Sequence, residues 1–301
     1  TIKQTWHVKD ILFTGGGYYG KVSNVAVSNN GTTIALVASM NPSQESYIQV
    51  FHSDTDSDGG MQPLGDRLEV GIGLQAGVLT HSSVDDTTQV VLSGDGTRLF
   101  VSTRESRIYS LEFNDDEWTP LYGGEVFAET TGAPHVLTDM HGTLLVVGSE
   151  FNHPSSPIHV YEPYRGAWHQ FATLDIFSTT STNGGLQWMA LSGDGRNIVV
   201  CEAIITTPAV SSSLLARWYH RSGSAFVSVQ DFFLATPNTN QNTNGAEGDF
   251  QLRAMVLDEG GEQLVVAFRN DLVKGYRKDC PNNNDNNNNN NNNDDNNERK
   301  S

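Results

Sequence analysis

The chain has little of what narrows a function quickly. It holds 2 cysteines in 301 residues. That is too few for a disulfide framework, so packing must hold the fold together. Cys201 lies in an apolar run, where a buried free thiol is expected. Cys280 opens the C-terminal stretch, and the residues leave a Cys201–Cys280 bridge open. No apolar run approaches the ~20 residues that cross a bilayer as a helix, so no membrane span is expected.

Basic side chains are also scarce. Lys and Arg number 18 against 35 acidic residues, a net charge of −17. Residues 1–278 alone keep 16 bases and 30 acids, a balance of −14. An acidic body repels phosphate backbones and anionic membrane faces, which argues against a nucleic-acid partner and for a cation or a basic surface.

Catalytic signatures are missing too. There is no Gly-x-Ser-x-Gly nucleophile turn, and Gly15-Gly16-Gly17-Tyr18-Tyr19-Gly20 lacks the Lys of a phosphate loop. His141, His153, His159 and His169 gather in one region without zinc-ligand spacing.

What the chain does have is turns and repetition. Gly number 29, and Ser, Thr and Asn are abundant, which suits a turn-rich β protein. Val90-Val91-Leu92-Ser93-Gly94-Asp95-Gly96-Thr97-Arg98-Leu99-Phe100-Val101 is an apolar run, a tight turn and a second apolar run. It recurs at Met189–Val200, with looser copies starting at Val25, Val136 and Met255. The turn glycines are Gly31, Gly96, Gly142, Gly195 and Gly261, spaced by 65, 46, 53 and 66 residues. Each copy is followed by a Tyr- or Phe-containing strand, and most by a fourth, as at Glu117-Trp118-Thr119-Pro120-Leu121 and Ala167-Trp168-His169-Gln170-Phe171. Repetition at this period with four short strands per unit predicts propeller blades, because a lone blade must stack on neighbours to bury its faces.

The fifth copy stops one strand short after Tyr276, while Thr5–Phe13 has no partner before it. The expected fold is therefore all-β: a β-propeller of five four-stranded blades, closed by the N-terminal strand as the outer strand of the last blade. The propeller domain spans 1–278 and is expected to be monomeric. Residues 279–301 form a tail in which Asn282–Asn297 is thirteen Asn and three Asp, a composition with nothing to bury and so expected to be disordered.

The repeat resembles the FG-GAP-type repeats of integrin-like propellers. Leu92–Gly96 with Tyr109 and Trp118, His159-Val160-Tyr161 with Trp168, and Leu191–Gly195 with Trp218-Tyr219 carry the resemblance, with Gly17-Tyr18-Tyr19-Gly20 leading into the first blade. The resemblance implies a non-catalytic recognition propeller, extracellular or surface-associated. The Gly-Ala-Pro of that family is replaced here by Val37-Ala38-Ser39, Val101-Ser102-Thr103 and their equivalents.

Two sets of residues could bind something. Asp54-Thr55-Asp56-Ser57-Asp58-Gly59 sets carboxylates at alternate positions, as a loop does when it wraps calcium. Asp54, Asp56 and Asp58 are the candidate ligands, and calcium is the one cofactor the sequence suggests. The second set stands at the starts of the first strands, which converge on the mouth of the ring: Asn24, Gln89, His135, Trp188 and Arg253. An aromatic, an imidazole and a guanidinium with amides suit a polar or sugar-like ligand. The expectation is a non-enzymatic scaffold binding a protein or a glycan. The alternative is a carbohydrate-active propeller, a lectin or a glycoside hydrolase built on Asp86 and Asp249.

Overall fold

The computed structural model describes residues 21–39, 46–53, 60–69, 89–103, 107–127, 134–148, 157–174, 186–206, 211–235, 252–268 and 273–278. Those residues form strands and turns without a helix, in five antiparallel sheets arranged as a five-bladed β-propeller, the fold expected from the repeat.

Blade one contains β1 (Lys21–Val27), β2 (Thr33–Ser39), β3 (Ser46–Ser53) and β4 (Met61–Pro63), with β5 (Leu68–Glu69) also pairing β3. Blade two contains β6 (Gln89–Leu92), β7 (Arg98–Ser102), β8 (Arg107–Asn114) and β9 (Glu117–Phe127). Blade three contains β10 (His135–Thr138), β11 (Leu145–Gly148), β12 (Ile158–Tyr164) and β13 (Ala167–Leu174). Blade four contains β14 (Leu186–Leu191), β15 (Asn197–Thr206), β16 (Ser211–Ser222) and β17 (Ala225–Ala235). Blade five contains β18 (Leu252–Leu257), β19 (Gln263–Phe268) and β20 (Val273–Arg277). The segment expected to close the ring, Thr5–Phe13, lies outside the described residues, as do the loop at 54–59 and the tail at 279–301.

The turn between a blade's first two strands explains why the motif repeats. Ser93 Oγ donates to Asp95 Oδ1 at 2.6 Å, and that oxygen also accepts from Thr97 N at 3.0 Å. Ser93 Oγ in turn accepts from Arg98 N at 3.0 Å. Blade four repeats these bonds with Ser192, Asp194, Arg196 and Asn197. Blade one repeats them with Ser28, Asn30, Thr32 and Thr33, an amide doing the work of the carboxylate. The final glycine of each turn has φ between 62° and 76°, the left-handed region where a Cβ is costly.

The turns also join the blades. Asn29 N donates to Gly94 O, Asp95 N to Met140 O, Met140 N to Gly193 O and Asp194 N to Glu259 O. Side chains interlock beside them: Arg98 Nη1 donates to His141 O at 2.8 Å, and Asn197 Nδ2 to Gly260 O at 3.0 Å.

The core is the stack of blade faces. Four buried clusters correspond to the four successive blade pairs among the described residues. Ala35, Val37 and Ile48 of blade one meet Val90, Leu99 and Tyr109 of blade two. Phe100 and Ile108 of blade two meet Val136, Leu145 and Tyr161 of blade three. Cys201 is fully buried in the cluster between blades four and five. Trp118 and Trp168 tie outer strands back to the preceding blade: Trp118 Nε1 donates to Leu64 O at 3.0 Å, and Trp168 Nε1 to Ser110 Oγ at 2.9 Å.

Candidate functional site

The first strand of each blade has a ladder partner on one side only, its second strand. First strands of successive blades approach one another, so their free edges line the centre of the propeller. The ends of these strands away from the motif turns define a mouth. Registers with the second strands put Asn24 across from Val37, Gln89 from Ser102, His135 from Gly148 and Trp188 from Cys201. These four residues therefore stand at one level in four blades. Ala254, across from Ala267, holds that level in blade five. Arg253 is one residue away, in the bulge between Leu252 and Ala254.

The four do not stand apart from one another. Asn24 Oδ1 accepts from Val90 N of blade two at 3.2 Å. Gln89 Oε1 accepts from Val136 N of blade three at 3.2 Å. The His135 and Trp188 rings meet edge to face across blades three and four, with centroids 6.1 Å apart and planes at 76°. The amide carbonyls thus satisfy inner-edge N–H groups that no ladder satisfies. The mouth has an amide side, engaged in stitching blades one to three, and an aromatic side between blades three and four.

One polar group here was not singled out in the sequence. Ser102, directly across from Gln89 in register, is buried, and its hydroxyl has no hydrogen-bond partner among the described residues. The signal was available: Val37, Ser102, Gly148, Cys201 and Ala267 are equivalent, and Ser102 is the one hydroxyl among them.

Asp139 and Asp258 take the place of the motif serine. Asp139 Oδ1 accepts from Thr143 N at 2.6 Å and Leu144 N at 2.9 Å, and Asp258 Oδ1 accepts from Glu262 N and Gln263 N. Both cap turns at the end opposite the mouth. Asp95, at that same end, is pulled up by partial burial, but bonds from Ser93 and Thr97 and the charge of His141 outweigh this and hold its carboxyl below the usual range. The candidate calcium ligands Asp54, Asp56 and Asp58 lie outside the described residues, as do Asp86 and Asp249. Among the described residues no group of three or more His, Cys, Asp and Glu is set to hold a metal. His141 lies 4.0 Å from Asp95, His159 beside Tyr161 and His169 beside Tyr164, so these histidines are not brought together.

No protein-family profile and no curated protein matches the chain. Solved structures do, at low identity. The Pseudomonas aeruginosa periplasmic gluconolactonase is 16% identical with a TM-score of 0.52, the match covering 85% of this chain and 66% of that one. A functionally unknown protein from Desulfotomaculum acetoxidans is 10% identical with a TM-score of 0.52, covering 85% and 68%. The Myceliophthora thermophila Cps50 (Swd1) β-propeller domain is 8% identical with a TM-score of 0.47, covering 86% and 84%. The shared feature is the propeller. The expectation that the chain is not an enzyme is corrected by this comparison, because the fold is one that a gluconolactonase also adopts.

Proposed function

We propose that this chain is a carbohydrate-active propeller that takes a sugar-derived ligand at the mouth, and that the reaction it carries is hydrolysis of an aldonolactone. The observation that carries the reading is the edge-to-face pair of His135 and Trp188. An indole offers an apolar surface to the C–H face of a sugar ring, and a neighbouring imidazole is the side chain best matched to proton transfer near neutral pH. The fold shared with a gluconolactonase supports an aldonolactone as the substrate class.

In this reading His135 takes a proton from water as the water adds to the lactone carbonyl. The ring C–O bond then breaks, and the proton passes to the departing alkoxide, giving the open-chain aldonic acid. The balance of −14 over residues 1–278 favours a neutral lactone over a phosphorylated one. It also favours release of the anionic product.

The test is the rate of glucono-1,5-lactone hydrolysis above the spontaneous rate. Wild type should accelerate it, His135→Ala should lose about 10²-fold in kcat/KM, and Trp188→Ala should act mainly on KM. A wild-type rate equal to that of buffer overturns the reading. Calcium at Asp54, Asp56 and Asp58 is a separate proposal, carried by their alternate spacing. Calcium titration calorimetry of wild type and Asp56→Ala tests it, and a heat unaffected by the substitution would remove it.

A further inference from the structure

Blade one departs from blades two and four in the chemistry of its motif turn. Where those turns present the carboxylates of Asp95 and Asp194, blade one presents the amide of Asn30, followed directly by Gly31. Asn30 Oδ1 accepts from Ser28 Oγ at 2.7 Å, Thr32 Oγ1 at 2.9 Å and Thr32 N at 3.1 Å. Asp95 Oδ1 accepts from the same three donors of its own turn: Ser93 Oγ, Thr97 Oγ1 and Thr97 N. A main-chain N–H can only donate, so the amide oxygen of Asn30, not its nitrogen, faces Thr32. Asn30 itself is exposed at the end of the propeller opposite the mouth.

An asparagine that precedes glycine carries its own reaction. The Gly31 nitrogen can attack Asn30 Cγ, because glycine has no Cβ to obstruct the approach. The N–Cγ bond forms, the Cγ–Nδ2 bond breaks, and ammonia leaves with the proton that Gly31 N gives up. Water then opens the five-membered imide. Cleavage of the new N–Cγ bond gives aspartate. Cleavage of the bond to the main-chain carbonyl carbon of residue 30 gives isoaspartate, with the backbone rerouted through Cγ. The folded turn withholds both reacting groups. Gly31 N donates to Ser28 O at 2.9 Å, and the carbonyl it would attack is pinned by three donors. Asn29 N, beside them, donates to Gly94 O at 2.9 Å and fastens the turn to blade two. Ring closure therefore requires the turn to open.

We propose that Asn30 is a deamidation site gated by the blade-one turn. The closed turn preserves the amide, and an opened turn exposes it to Gly31. The aspartate product re-enters the turn, because its carboxylate takes up the bonds that Asp95 and Asp194 already make in blades two and four, now as charge-assisted ones. The isoaspartate product adds a methylene to the backbone between Ser28 and Thr33, which the Thr33 N to Ser28 Oγ bond of 2.9 Å closes. That product does not restore the turn. Residue 30 thus keeps a chemical record of how often blade one has opened, and one of its two outcomes leaves the fold intact.

The test is site-resolved mass spectrometry of the full chain, incubated at neutral pH both folded and in concentrated urea. Peptide mapping separates residue 30 from Asn183 and Asn244, the other asparagines that precede glycine. Conversion at residue 30 should be about tenfold or more slower in the folded chain, since it waits on local opening. Thr32→Val removes one donor to Oδ1 and should speed the folded reaction several-fold while leaving the rate in urea unchanged. Asn30→Asp, the product made directly, should melt within about 2 °C of wild type. Equal rates in the folded and unfolded chain, or a folded rate indifferent to Thr32→Val, overturn the gate. A melt of Asn30→Asp far below that of wild type overturns the return of the product to the turn.

Discussion

Val199 in blade four and Val265 in blade five occupy the same place in their sheets, paired with Ala190 and Val256. Val199 is 0% exposed and Val265 is 48% exposed. The other end mirrors this: Val90 in blade two is 3% exposed, and its equivalent Val25 in blade one is 53% exposed. The sequence pattern is alike in all four positions. What differs is whether a further blade stands against the face among the described residues. Burial in this molecule is thus a property of the neighbour rather than of the sheet, as expected for an array whose units cannot bury their own faces.

Substitutions at equivalent positions sharpen that comparison. Val199→Glu puts an unpaired carboxylate between blades four and five and should abolish the cooperative melt, a loss above ~4 kcal/mol. Val265→Glu should cost within about 1 kcal/mol, since its side chain reaches water. Thermal unfolding followed by circular dichroism separates the two, and an equal collapse would mean that the blade-five face is covered after all.

Next in size is Trp168→Ala. It removes the bond to Ser110 and the edge contacts to Phe100 and Tyr122, and should cost about 3 kcal/mol in urea unfolding. Asn24→Ala should cost about 1–2 kcal/mol, because Val90 N loses its acceptor in a buried setting. The same substitution at Gln89 should cost a similar amount through Val136 N.

The smallest effect at neutral pH is expected for Asp95→Asn, because Asn30 makes the same bonds in blade one without a charge. Its signature is in the pH dependence. Asp95 has a folded pKa below its unfolded value, so it contributes stability that is full above the unfolded value and is lost as pH falls through the folded one. Asp95→Asn should therefore flatten the loss of stability below about pH 4, measured as melting temperature against pH.

The blades were legible in the sequence because each carries its own turn. Ser-Gly-Asp-Gly announces a hairpin through hydrogen bonds that lie within five residues. Asp139 and Asp258 could be read as turn caps for the same local reason. The mouth was legible only in part. Asn24 and Gln89 look like free amides in a sequence, yet each accepts from a blade whose strand begins some 45 to 65 residues later in the chain. Such a bond has no local signature. Arg253 seemed a mouth residue because it precedes the apolar run, but a one-residue bulge in β18 gives that level to Ala254. Periodicity alone does not reveal a bulge.

We propose that the mouth holds a sugar-derived ring against Trp188. The most direct measurement is the tryptophan fluorescence of wild type and Trp188→Phe on titration with D-glucono-1,5-lactam, a stable lactone isostere. A saturable change is expected in wild type and is expected to be absent in Trp188→Phe, although the other 4 of the 5 tryptophans remain. A change of equal size in both proteins, or none in wild type, would contradict it.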